Sequence, residues 1–150
     1  MNLRAGLQAT PLLPYIASGN MTRDEHILYW LQESDKDCSV MTSLLDNGHF
    51  TWALFVGHLV LEKLLKAIYV QNIDKEVPRI HHLLKIARDA GLEMTVDQEN
   101  FLLEVTTYNI KGRYPDYKKQ FARKAGLDFT LQRVAQIKEM RRWLKNKLQR

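Results

Sequence analysis

The longest apolar run of the chain lies over residues 49–71, where Trp52, Leu54, Phe55, Val56, Leu59, Val60, Leu61, Leu64, Leu65 and Ile68 follow one another with few polar interruptions. Wound as a helix, these side chains cover most of the circumference, and such a helix belongs at the centre of a bundle. Within the run, FVGHLVLEKLLKAIY places His58, Glu62 and Lys66 at intervals of four. Positions four apart share a helical face, so the three polar groups form one stripe on an otherwise apolar helix.

The flanking pattern is helical throughout. Over residues 22–45, Ile27, Leu28, Leu31, Val40, Leu44 and Leu45 mark an amphipathic helix that Thr22 and Glu25 can open as a capping box and Asp46-Asn47-Gly48 can stop. Residues 72–78 read as a polar connection, and residues 81–90 (HHLLKIARDA) as a short helix ended by Gly91. Thr95 and Gln98 form a second capping-box signature ahead of Phe101, Leu102, Val105 and Tyr108, and this helix is interrupted by Gly112 and Pro115. A closing helix over residues 130–148 carries Leu131, Val134, Ile137, Met140, Trp143 or Leu144, and Leu148 on its apolar stripe. The pattern contains no internal repeat and no strand, so the fold class is all-α, an up-and-down bundle of four or five helices. Residues 1–21, with two prolines and two glycines and no sustained period, read as an irregular or disordered lead, and residues 22–150 as one domain. Met21 offers itself as an alternative start to Met1.

Composition adds little until charge is resolved along the chain. With 45% hydrophobic and 26% charged residues, the protein is an ordinary globular domain. No stretch is long and apolar enough for a membrane span, and no secretory leader is apparent, so the expected location is cytoplasmic. The single cysteine excludes an internal disulfide and a Cys-x-x-Cys clip. Residues 1–110 carry nine Lys or Arg against fourteen Asp or Glu, whereas residues 111–150 carry thirteen against three. A terminal segment this basic attracts a polyanion, whether a nucleotide, nucleic acid or acidic protein, or is simply a solvated helix face.

Three motifs in order now become specific: ALFVGHLVLEKLLKAI (residues 53–68), PRIHHLLKIA (78–87) and YNIKGRYPDY (108–117). Together they resemble the HEPN domain family, over nearly all of residues 22–148. The resemblance implies a short helical bundle, often a homodimer, frequently encoded beside a minimal nucleotidyltransferase, in some cases as a toxin–antitoxin pair. The apolar central helices are the expected dimer contact. Many such proteins are metal-independent ribonucleases whose motif is an Arg followed four to six residues later by a His. That motif is absent here. The histidines are His26, His49, His58, His81 and His82, and none follows an Arg at that spacing. The corresponding segment supplies Arg113 with no downstream His.

The candidate site residues are His58, Glu62, Lys66, Arg113, Tyr114 and Asp116, as a cleft for a nucleotide or RNA. Two readings compete for the stripe: a seam in which Glu62 accepts from His58 and pairs with Lys66, or the inner wall of a cleft that Arg113 and Tyr114 face. For GRYPD the alternatives are a phosphate-gripping Arg beside a base-stacking Tyr, or a turn in which Asp116 pairs with Arg113 and Tyr114 plugs the core. His81 and His82 most simply cap or pack the start of the short helix. No metal site is expected, because Lys66 repels a cation and no third ligand stands at helical spacing; no cofactor is indicated. Enzymatic activity is not expected without the Arg-to-His motif. If the chain is a nuclease, the residues left for catalysis are Arg113, His58 and Tyr114.

Overall fold

The computed structural model describes residues 21–149; the lead over residues 1–20 lies outside the described residues. Among the described residues there are six helices: α1 (Arg23–Asp46), α2 (Phe50–Asn72), α3 (Leu83–Asp89), α4 (Val96–Lys111), α5 (Pro115–Lys124) and α6 (Leu127–Lys147). The all-α class is as expected, with one helix more than the pattern indicates.

Local chemistry explains where the helices begin and end. Thr22 caps α1 by accepting from the Glu25 amide, and Thr95 and Gln98 form the reciprocal capping box at the start of α4. Gly48 and Gly91 close the turns after α1 and α3 at φ 77° and 78°, a backbone region that side chains with a Cβ disfavour. The short helix begins at Leu83 rather than at residue 81, because the His82 side chain turns back to accept from the Lys85 amide and so serves as its N-cap. Gly112 and Pro115 do interrupt α4. Yet Pro115 also stands at N1 of α5, where its fixed φ suits a helix and its missing N–H is no loss.

Helix α2 is the hub, packed against each of the other five helices, with α1 running along it most extensively. Leu54, Leu61, Leu64, Leu65 and Ile68 are fully buried, each such side chain contributing about 1.5–3 kcal/mol of apolar transfer. The α1–α2 contact is tightened by small groups: Ser34 is buried and donates to the Val60 carbonyl at 2.8 Å. The stripe on α6 differs by one position from expectation. Thr130, fully buried and bonded to the Gly126 carbonyl, takes the inward place, while Leu131 is 46% exposed. Leu28 and Val40 on α1 likewise face outward. Most of the apolar surface of α2 is covered by the other helices, with Trp52 at its start left 41% exposed.

A Cβ on Gly57 would lie 2.6 Å from Ile137 Cδ1 and 3.1 Å from Met41 Sδ, so α1, α2 and α6 meet closely there and an added methyl displaces the ends of those two side chains. Gly57→Ala gains about 1 kcal/mol of helix propensity but overpacks the junction by about 1–3 kcal/mol. The expected net result is a lowered urea midpoint with unchanged m-value; a raised midpoint would show that the junction yields freely.

Candidate functional site

The polar stripe on α2 is enclosed. His58 is fully buried, and Glu62 and Lys66 are nearly so. A buried carboxylate is costly unless paired, and Glu62 is paired twice: Oε2 accepts from Lys66 Nζ at 3.2 Å and Oε1 from His81 Nδ1 at 2.7 Å. His58 approaches the same Oε1 only to 3.8 Å. Its hydrogen bond goes instead to the backbone carbonyl of His81, 3.0 Å from Nε2. A carbonyl can only accept, so Nε2 carries the proton, and Nδ1 is left as a buried acceptor with no donor among the described residues. The seam is therefore built around His81 rather than around a direct His58–Glu62 bond. The ammonium of Lys66 also lies 5.4 Å from the centre of the Trp30 ring, which helps to hold it in its buried position.

His81 is the residue that sequence reasoning undervalued. The connection between α2 and α3 brings it across Glu62, yet 56% of its side chain is exposed. With Nδ1–H donated to the carboxylate, the remaining ring nitrogen, Nε2, has no hydrogen-bond partner among the described residues. A carboxylate-oriented imidazole of this kind suits acid–base chemistry. His82, its neighbour, is committed to capping α3.

Arg113 and Tyr114 stand at the α4–α5 turn. A Cβ on Gly112 would meet Phe55 Cβ at 2.8 Å, so the turn is held hard against α2 one turn before His58. Arg113 comes within electrostatic reach of His58 without touching the stripe; its Nε donates to the Asn109 carbonyl at 3.0 Å. The turn reading, with an Arg113–Asp116 pair and a buried Tyr114, does not hold: no such ion pair forms, Tyr114 is 53% exposed, and Asp116 sits exposed in the first turn of α5. Tyr117 is also exposed, and Lys118 Nζ lies 4.2 Å from the Trp52 ring centre. A hollow of about 170 Å³ lined by Lys111, Tyr117, Gln120, Phe121 and Lys124 adjoins them.

Residues 111–124 contain Lys111, Arg113, Lys118, Lys119, Arg123 and Lys124 against the single carboxylate of Asp116. Among the described residues none of the six makes an ion pair, whereas most cations of the other helices do. The contrast is clear at Glu104, which joins α4 to α6. It accepts from Arg133 Nε at 2.5 Å and from the Tyr108 hydroxyl. Burial opposes ionisation of Glu104, but these two hydrogen bonds outweigh it and hold the carboxyl below its usual range. The Tyr108 hydroxyl is pushed well up, by burial first and then by Glu104. Among the described residues no three His, Cys, Asp or Glu side chains gather closely enough to hold a metal. No helix there is long and apolar enough to cross a membrane.

Burial pushes the His58 imidazole below its ordinary pKa; the His81 carbonyl and Glu62 work against this, while His81 and Arg113 reinforce it. The fold therefore binds the neutral ring. Between the folded and unfolded pKa values the unfolded chain holds more protons, so stability rises with pH across that window. This contribution is complete above about pH 6.5 and is lost as pH falls through the lower folded value. His58→Gln is expected to flatten that part of the stability curve, measured by urea unfolding at a series of pH values; an unaltered slope would remove His58 as its source.

Set beside known proteins, this arrangement has a clear relative in fold. The crystal structure of TT1696 from Thermus thermophilus superposes with a TM-score of 0.70 at 19% identity, covering 81% of this chain and 98% of that one. No curated protein matches. The family model for the HEPN domain matches residues 27–147, from the first turns of α1 to the last residue of α6. The chain belongs to the HEPN domain family.

Proposed function

We propose that the chain is a binding module for a nucleotide or RNA, with the ligand lying along the α4–α5 turn and α5 beside the Glu62–His81 pair. The observation that carries this reading is the cluster of six cations, without an ion-pair partner among the described residues, interleaved with exposed Tyr114 and Tyr117. Cations that lack carboxylate partners are free to neutralise phosphates, and exposed aromatic rings offer faces on which bases stack. Membership of the HEPN family supports a nucleotide- or RNA-related role in general terms. Arg113 grips a phosphate, Tyr114 stacks on the adjacent base, and His81, held by Glu62, meets the ribose or base edge at the rim. His58 and Lys66 lie beneath the site and support it from the core, and Asp116 sits at its edge.

The same reading includes a homodimer working with a nucleotidyltransferase-type partner, as in a toxin–antitoxin pair. Val96, Leu103 and Ile110, exposed and spaced seven residues apart on α4, are apolar positions that a dimer face can use, as is Trp52 at the start of α2.

Fluorescence anisotropy with a labelled single-stranded RNA tests the module. Arg113→Ala is expected to weaken binding by roughly tenfold, the cost of one charge-assisted contact. Removing Lys118, Lys119 and Arg123 together should reduce the salt slope by about two, at roughly 0.7 for each phosphate contact. Affinity and slope unchanged in both variants would end this reading.

A second reading, a ribonuclease with a non-standard catalytic set, is favoured by one feature, the exposed imidazole of His81 oriented by a buried carboxylate. Here His81 takes the role that fully buried His58 cannot, as general base on a ribose 2′-hydroxyl, with Arg113 steadying the phosphate. Labelled RNA incubated with a high concentration of protein should then be cut, and His81→Gln, shown by a thermal melt to be folded, should abolish cleavage while weakening RNA binding far less. Uncut RNA leaves the binding module alone.

A further inference from the structure

The groove between α1 and α6 belongs neither to the buried seam nor to the α5 surface. It is open, about 490 Å³ in volume, and lined by Cys38, Ser39 and Thr42 from α1 and by Lys138, Arg141 and Arg142 from α6. Positions 138, 141 and 142 are three and four apart, so three cations crowd one side of α6, an arrangement that costs stability in isolation. Little compensates for it. Among the described residues neither Lys138 nor Arg142 has a carboxylate within ion-pair distance; only Arg141 does, Asp35 at 2.8 Å, and Lys145 draws on that same carboxylate at 3.3 Å. Asp35 thereby fixes the Arg141 guanidinium, whose Nε–H is left out of contact with solvent and with no acceptor among the described residues. On the facing wall the hydroxyls of Ser39 and Thr42 are bonded only to carbonyls of their own helix, at 3.5 and 3.1 Å. Such hydroxyls can rotate toward an incoming oxyanion.

No aromatic side chain lines this groove, so it has nothing on which a base could stack. What it offers is a fixed cluster of donors and positive charge, the complement of closely spaced phosphate oxygens. We propose that the α1–α6 groove is a second anion site, separate from the α5 surface, that takes a compact oligophosphate group. Lys138 and Arg142 neutralise its charge, and Arg141, held by Asp35, orients it against the Ser39 and Thr42 hydroxyls.

Titration calorimetry with tripolyphosphate and the full chain at low ionic strength tests this. Binding at millimolar or lower concentration is expected, weakened roughly tenfold or more in the Lys138→Gln/Arg142→Gln variant, since each lost charge-assisted contact is worth about 1.5–3 kcal/mol. Arg113→Ala/Lys118→Ala should reduce tripolyphosphate affinity less than the groove variant does, and a 5′-hydroxyl RNA should bind the groove variant as it binds wild type. Both substitutions in the groove variant lie on the helix surface, and a thermal melt confirms that it is folded. An RNA bearing a 5′-triphosphate separates two sources of the anion. Tighter binding than its 5′-hydroxyl counterpart, lost in the groove variant, assigns the groove to a chain end; equal binding of the two RNAs assigns it to a free oligophosphate. The proposal is overturned by a wild-type chain that does not bind tripolyphosphate at millimolar concentration. Undiminished affinity in the folded groove variant, or an equal loss in Arg113→Ala/Lys118→Ala, overturns it as well.

Discussion

A helix that is apolar around most of its circumference has to be covered on every side, and in this protein that requirement organises the whole chain. Helix α2 meets each of the other five helices, and the order in which they wrap it decides what reaches its surface. Small groups set the closest approaches: Gly57 where α1, α2 and α6 converge, Ser34 against the α2 backbone, and Gly112 against Phe55. The last of these positions the α4–α5 turn. A side chain at position 112 would push that turn, and Arg113 with it, away from α2.

The buried polar stripe is the one departure from an apolar hub. Glu62 is tolerated because both of its oxygens are occupied, one by a cation on its own helix and the other by a ring from the connection that leads into α3. Breaking either contact would leave charge stranded in the core, so the stripe fixes the position of the 78–82 segment as firmly as apolar packing does. His58 adds a second tie to that segment through the His81 carbonyl. One consequence reaches the surface, since His81 is exposed yet held in a single orientation by a buried group.

Charge is distributed by a different rule. On α1, α3 and α6 cations are commonly matched with carboxylates across or along helices, whereas the end of α4, the turn after it and α5 carry six that are not, among the described residues. Arg123 and Lys124 complement the C-terminal end of the α5 dipole, but none of the six gains a carboxylate partner among the described residues. In the function we propose, their interleaving with two exposed tyrosines is what draws a polyanion to this surface. The α1–α6 groove concentrates cations without aromatics, which is why the two surfaces suit different parts of a phosphate-bearing ligand.

Much of this could be read in the residue order. The 3.6-residue period identified α1, α2, α4 and α6, because amphipathic or apolar stripes are local properties of a helix, and capping residues marked several of their ends. The four-residue spacing of His58, Glu62 and Lys66 established a shared face, and the HEPN resemblance placed that face in a bundle. Helix α5 escaped notice because its sequence, PDYKKQFARK, has too few apolar residues to show a period, and because a proline ends one helix and starts another with equal ease. The choice of Thr130 over Leu131 for the core depended on the rotation of α6 about its axis, which only its neighbours decide. So, above all, did the partners of Glu62. Sequence spacing can say which side chains share a helix face, but His81 reaches Glu62 from nineteen residues away, through a connection whose path is set by packing. The residue order thus determined the fold class and the polar face of its central helix. Tertiary structure decided that His81 completes that face, that Tyr114 stays exposed, and that Arg113 lies within reach of it, because long-range contacts obey the geometry of the packed whole.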